Sequence, residues 1–162
     1  MISLVIALWL AWSLMDLWLE PTAKATSHPP HYYLIPLCVG QLLFLVPLFP
    51  LQQFSTPWGL IPLLLGLGLA IAARLVLAGN WTGPIGLRPH HKLITHGPYK
   101  WLRHPIYVGL SLAFIGTALI SGHAPVYLGC GLIIGVLIWK IKLGEQMMFR
   151  AFPEYRDYKN NR

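Results

Sequence analysis

Acidic residues are almost missing from this chain: its 162 residues include five Asp and Glu against twelve Lys and Arg, and none lies between Glu20 and Glu145. Charged residues of both signs make up only 10% of the sequence, while 56% is hydrophobic. An average soluble domain carries roughly 25% charged residues. A shortage this deep excludes an ordinary water-facing surface and points to lipid as the surrounding solvent. Cysteine is scarce as well. Cys38 and Cys130 both sit in apolar runs and neither belongs to a C-x-x-C pattern, so disulfide and zinc chemistry have no support and buried, inert thiols are expected. No G-x-G-x-x-G opens a helix after a strand. No soluble basic module exists to hold nucleic acid, and no repeat or second domain interrupts the chain, which reads as one membrane domain over 1–162. The first apolar stretch lacks a positive leader region and a clean A-x-A site, so it is read as a retained helix rather than a secretory signal.

Long apolar runs are what the chain has in quantity. Residues 2–19, 32–49, 58–79, 106–120 and 125–139 each read as a membrane helix, against a practical minimum of about 17 residues for crossing. The last two are short, flank a Ser121–Ala124 break, and are expected to form a hairpin that tilts or stops short of a full crossing. The expected fold class is therefore all-α: a polytopic bundle of five transmembrane helices. Its polar face is built from the 80–105 loop and the 140–162 tail. All twelve Lys and Arg fall on or near the side holding the 20–31 loop, the 80–105 loop and the tail. Positive short loops stay in the cytosol, which places the N-terminus outside and the loop and tail inside. The net charge of +7 is then a matter of topology and of attraction to anionic lipid. The compact size points to a bacterial or archaeal cell membrane.

The 80–105 loop is too long to be a bare connection. Trp81, Ile85, Leu87, Leu93, Ile94, Tyr99, Trp101 and Leu102 predict that it is packed. Thr95–Pro98 reads as a turn in which Gly97 adopts positive φ. Tyr99–Arg103 reads as a short helix, and Pro105 suits the first position of the next one. His90, His91, His96 and His104 suggest metal ligands at first sight. Their spacing does not match a helical metal pair and no carboxylate accompanies them, so no metal is expected. Arg103-His104-Pro105 is sharper, because a helix N-terminus beside a cation suits a carboxylate or phosphate. Snorkelling of Arg103 to lipid phosphates is the plainer alternative. Glu145 reads either as a surface ion pair with Lys140 or Lys142, or as a cation-binding carboxylate at the membrane edge. Asp16 and Arg74 are expected to pair structurally. From the tail, a helix should continue out of the fifth span as far as a perturbation near Pro153, with Met147, Met148, Phe152 and Tyr155 on its apolar side.

The pattern H-x-L-I-T-x-G-P-Y-x-x-x-R-H-P-x-Y-x-G over His91–Gly109 resembles the signature of isoprenylcysteine carboxyl methyltransferases, shared with phospholipid N-methyltransferases. Glu145, Phe152–Tyr155, Tyr158 and Arg162 are similar to that family's E-E-x-x-L…F-x-x-Y-x-x-Y ending. The resemblance covers the chain from Asn80 onward. It implies S-adenosylmethionine as methyl donor and S-adenosylhomocysteine as product. It also implies a cofactor pocket lined by His91, Leu93, Ile94, Gly97, Tyr99, His104, Pro105 and Tyr107, closed by Glu145. Tyr99 and Trp101 would offer aromatic faces to the adenine. Glu145 and Arg103 are the expected catalytic groups. Lys140, Tyr155 and Tyr158 are the expected contacts to a lipophilic acceptor, with membrane lipids as further partners. Two departures stand out. Gly144 replaces the first of the family's paired glutamates. Lys140 stands where prenylcysteine enzymes place a carboxylate-binding arginine, and lysine offers a point charge rather than a bidentate fork. The acceptor is thus a carboxylate, or an amine as in phospholipid methylation. Rival readings are a non-catalytic binder of anionic lipid and a membrane reductase.

Overall fold

The computed structural model describes residues 2–18, 34–45, 56–77 and 94–151. They form α1 (Ile2–Trp18), α2 (Leu34–Leu45), α3 (Leu60–Leu77), α4 (Pro105–Ser121) and α5 (Ala124–Ala151), with short 3-10 turns at Pro57–Gly59 and Gly97–Lys100. Among the described residues there is no strand, and the all-α expectation holds. Among the described residues, two helical stretches are long and apolar enough to cross a membrane: Pro57–Leu77 with 21 residues and Ala124–Arg150 with 27. α4 and α1 each have 17 residues, and the described part of α2 has 12. The fifth apolar run, 125–139, lies inside α5, and the expected continuation of that helix into the tail holds as far as Ala151. α5 passes through Lys140 and Lys142 without a break, because no proline or capping residue interrupts 126–151.

Local chemistry explains the helix ends. Thr56 is extended, and its hydroxyl accepts a hydrogen bond from the Trp58 amide at 3.3 Å, with Pro57 next in line. That arrangement satisfies an orphan donor at the point where α3 begins. α4 starts at Pro105 and ends at Gly122, whose φ of 69° closes the helix through a bond from its amide to the Ala118 carbonyl. Glycine carries that left-handed conformation without steric cost. His123 then lets the chain reverse directly into α5.

Small residues set the packing. Gly66 and Ala70 on α3 face Gly109 and Ala113 on α4. A Cβ added at Gly66 would lie 2.5 Å from both the Ala113 amide nitrogen and the Gly109 carbonyl oxygen. The two Gly-x-x-x-Ala steps let the backbones touch, as close helix pairs in lipid require. A second close pair joins α2 to α5, where a Cβ at Gly129 would come within 2.6 Å of the Gly40 carbonyl. α1 is tied in by a mixed contact. The Trp9 indole N–H donates to Thr117 Oγ1 at 3.1 Å, and that hydroxyl donates to the Ala113 carbonyl at 3.0 Å. The same indole stacks on Phe114 at 4.4 Å, and Phe44 meets Phe114 edge-on at 5.0 Å.

Large apolar side chains also point outward, among them Leu65 on α3, Leu42 on α2 and Leu128 on α5. A water-soluble monomer rarely presents so much contiguous apolar surface. Cys38 corrects an expectation: it is exposed while Cys130 is buried. It lies on the outward side of α2 with Ile35, Val39 and Leu42, whereas Gly40 and Phe44 turn toward α5. Arg74 is fully buried at 0% exposure, while its expected partner Asp16 lies outside the described side chains.

Candidate functional site

The segment entering α4 is built on α3. Gly97 has φ of 62°, the left-handed turn expected at that position. A Cβ there would stand 3.0 Å from the Val76 side chain. Helical structure covers Gly97–Lys100 rather than the expected Tyr99–Arg103. Pro98 sits in the first turn of the segment and fixes its φ for helix initiation. Pro105 disfavours helical backbone in the residue before it, and His104 takes φ −131° and ψ 60°. The turn therefore closes at Trp101, whose amide bonds the Pro98 carbonyl at 3.1 Å. Tyr99 is buried against Ala73 and Ile106, with Ile94 and Val76 packed on the same cluster.

His104 occupies the N-cap position of α4 but makes no side-chain cap. Its side chain instead crosses to α5, where Nε2 lies 3.2 Å from Glu145 Oε1. Arg103 Nη1 approaches the same oxygen at 3.6 Å. The Glu145 side chain is only 15% exposed, against 36% for Arg103, so this is a sheltered carboxylate rather than a surface ion pair. The topology makes the meeting unavoidable. α4 and α5 form an antiparallel hairpin around Gly122–His123, which brings residues 140–145 level with the start of α4. One turn below Glu145, Lys140 Nζ lies 5.9 Å from the Tyr107 ring centroid, within cation–π range. The Tyr107 ring is 6.3 Å from that of His104. Five side chains thus gather at one end of the hairpin: Arg103 and His104 from the segment entering α4, Tyr107 from α4, and Lys140 and Glu145 from α5.

The arrangement places both signs of charge in one confined place. A carboxylate near the start of α4 also benefits from the helix dipole. The site thus offers one carboxylate, engaged by Arg103 and His104, and a further cation at Lys140 beside Tyr107. Pro105 is buried at the base, and Tyr107 packs toward the Phe44–Val126 core. Trp101 is exposed, on the far side of the turn from the buried Tyr99. Of the remaining expected site residues, His91, Leu93, Tyr155 and Tyr158 lie outside the described residues. Among the described residues no three His, Cys, Asp or Glu side chains converge as metal ligands. Sequence reasoning did not identify the direct contacts of Glu145 with His104 and Arg103, or of Lys140 with Tyr107. The hairpin register carried that signal.

Comparison with known proteins bears on the same region. A family model described as phospholipid methyltransferase matches residues 55–154, which takes in α3, α4, α5 and every described site residue. The chain is 32% identical over 93 residues to protein-S-isoprenylcysteine O-methyltransferase A of Arabidopsis thaliana, covering 53% of this chain and 47% of that protein. It is 30% identical over 109 residues to the Mus musculus protein-S-isoprenylcysteine O-methyltransferase, covering 62% and 37% respectively. A third relative is the cobalt-zinc-cadmium resistance protein CzcN of Cupriavidus metallidurans, 28% identical over 113 residues, with 68% of this chain and 52% of that one covered. The chain spans about half the length of these relatives, or less. The match over most of its own length decides the assignment: the chain belongs to the phospholipid methyltransferase family, in the superfamily that includes the isoprenylcysteine methyltransferases.

Proposed function

We propose that this protein is an integral-membrane methyltransferase that uses S-adenosylmethionine to methylate a small lipophilic acceptor, with five membrane helices and the site on the cytosolic side. The observation that carries the reading is the convergence of His104 and Arg103 on Glu145, at 3.2 and 3.6 Å, across the α4–α5 hairpin. Bound S-adenosylmethionine supplies an electrophilic methyl group on a sulfonium. Glu145 offers that end of the donor a carboxylate in a site that excludes much of the water. Arg103 and the start of α4 offer its carboxylate a cation and a helix N-terminus. His104 holds Glu145 in place from the opposite helix. His91, Leu93, Ile94, Gly97, Tyr99, Pro105 and Tyr107 complete the enclosure in this proposal.

A carboxylate acceptor needs no base, being ionised at neutral pH. With the donor bound, an oxygen of that carboxylate would take the methyl group and S-adenosylhomocysteine would leave with the electron pair of the carbon–sulfur bond. The protein's task is then to align acceptor and donor. Lys140, with Tyr155 and Tyr158, is assigned to the acceptor, and its position beside Tyr107 suits an anionic head. The names of the isoprenylcysteine relatives favour this choice. The phospholipid methyltransferase family model favours a second one, an amine acceptor, which must lose its proton before it attacks.

Incubating membranes that contain the protein with methyl-labelled donor tests both. Label should enter the solvent-extractable lipid fraction with wild type and fall sharply with Glu145→Gln. Mild alkali releases the label as methanol from a carboxyl ester but leaves an N-methyl group intact. No enzyme-dependent label in any lipid fraction would remove the proposal.

A further inference from the structure

The turn that carries the donor-site residues has another surface. Leu69 on α3 and Gly97, Pro98, Lys100, Trp101 and Leu102 line an open groove that is apolar except for Lys100. It shares Gly97 with the proposed donor enclosure, while none of Arg103, His104, Tyr107, Lys140 or Glu145 contributes to it. We propose that this groove holds one anionic membrane phospholipid, with an acyl chain along Leu69 and the phosphate on Lys100.

Three observations select that occupant. The first is depth. Leu69 lies eight residues before the end of α3 at Leu77, about 12 Å of helix. The hydrocarbon core is about 30 Å thick, so the groove reaches into a single leaflet, as one acyl chain does. The second is the rim. Trp101 is 76% exposed, and Lys100 Nζ stands 5.5 Å from its ring centroid. An amphipathic indole beneath a cation belongs at the level of lipid headgroups. The third is charge. The sequence has no acidic residue from 21 to 144, so no carboxylate close in sequence competes with a phosphate for Lys100. A zwitterionic lipid could fill the groove but would gain less from that lysine, because its own cation offsets the phosphate. The inference rests on α3 lying in the bilayer; Gly97 and Trp101 also belong to the donor enclosure the family resemblance implies, so lipid retention is read without donor present and fails or holds separately from methyl transfer.

Native mass spectrometry of the detergent-solubilised full chain tests it, using equimolar phosphatidylglycerol and phosphatidylcholine. Wild type should retain one phosphatidylglycerol in preference to phosphatidylcholine. Lys100→Gln should reduce that preference about fivefold, the effect of one basic residue near an anionic surface. Trp101→Leu keeps the groove apolar and should weaken retention of both lipids. Lys142→Gln, a change at an exposed lysine on α5, should leave the preference intact. Equal retention of the two lipids by wild type would overturn the proposal. An unchanged preference in Lys100→Gln would do the same, and so would an equal loss in Lys142→Gln, since general surface charge would then be responsible.

Discussion

Along the α3–α4 seam backbone meets backbone, and the space beside Gly66 and Gly109 admits no side chain. At the far end of α4 the opposite holds: Arg103 and His104 reach across to Glu145 through long, polar side chains. In the seam a single carbon decides whether the helices can approach. At the polar end the contact is made by side chains and depends on charge. Mutations in the two regions should therefore fail differently. Seam changes should cost folding, and with it every activity. Polar-end changes should cost mainly ligand binding, with a smaller loss of stability.

The largest effect is expected in the seam. Gly66→Leu forces a side chain into the Ala113 and Gly109 backbone, and should destabilise the protein by about 3 kcal/mol, the upper end for overpacking. Its thermal unfolding midpoint in detergent should fall, and folded yield with it. Gly68→Ala on the same helix is the control, because a Cβ there meets nothing within 4 Å. Its midpoint should hold or rise, since alanine is favoured over glycine by up to about 1 kcal/mol in a helix. A drop in both would show that the seam is not the reason.

The polar end comes next. Charge-assisted hydrogen bonds contribute about 1.5–3 kcal/mol. His104→Ala removes one such bond to Glu145 and should lower the unfolding midpoint modestly, while the displaced carboxylate weakens S-adenosylhomocysteine binding by roughly tenfold, at about 1.4 kcal/mol per factor of ten. Combined with Glu145→Gln it should add almost nothing, because each change removes the same contact. Fully additive losses would mean that the two residues act separately.

The smallest expected effect lies between the two regions. Trp9→Phe keeps an aromatic ring against Phe114 but loses the indole bond to Thr117. The hydroxyl still donates to the Ala113 carbonyl, so the cost should be about 1 kcal/mol, read as a modest fall in unfolding midpoint. A large loss of ligand binding would instead tie α1 to the site.

The two regions also differ in how far the sequence disclosed them. Apolar runs located α3 and α4 to within a residue or two at the ends that are described, because hydrophobicity and proline act locally. The positive φ of Gly97 and the helix start at Pro105 were legible for the same reason. Cys38 was misplaced because α2 is apolar at nearly every position apart from Gln41, so composition does not say which side meets α5. The turn at 97–100 was expected two residues later, since Pro98 and Pro105 jointly limit where helix can form. Glu145 could be named from a motif and the hairpin from the Ser121–Ala124 break, but its partners depend on the helix register and side-chain reach across that hairpin.

The claim on which the functional reading depends is that the Arg103–His104–Glu145 cluster holds the methyl donor. Calorimetric titration of purified, folded protein with S-adenosylhomocysteine tests it most directly. Wild type should bind saturably at one site per chain, and Glu145→Gln should bind roughly tenfold more weakly. No saturable binding by wild type, or unchanged affinity in Glu145→Gln, would contradict it.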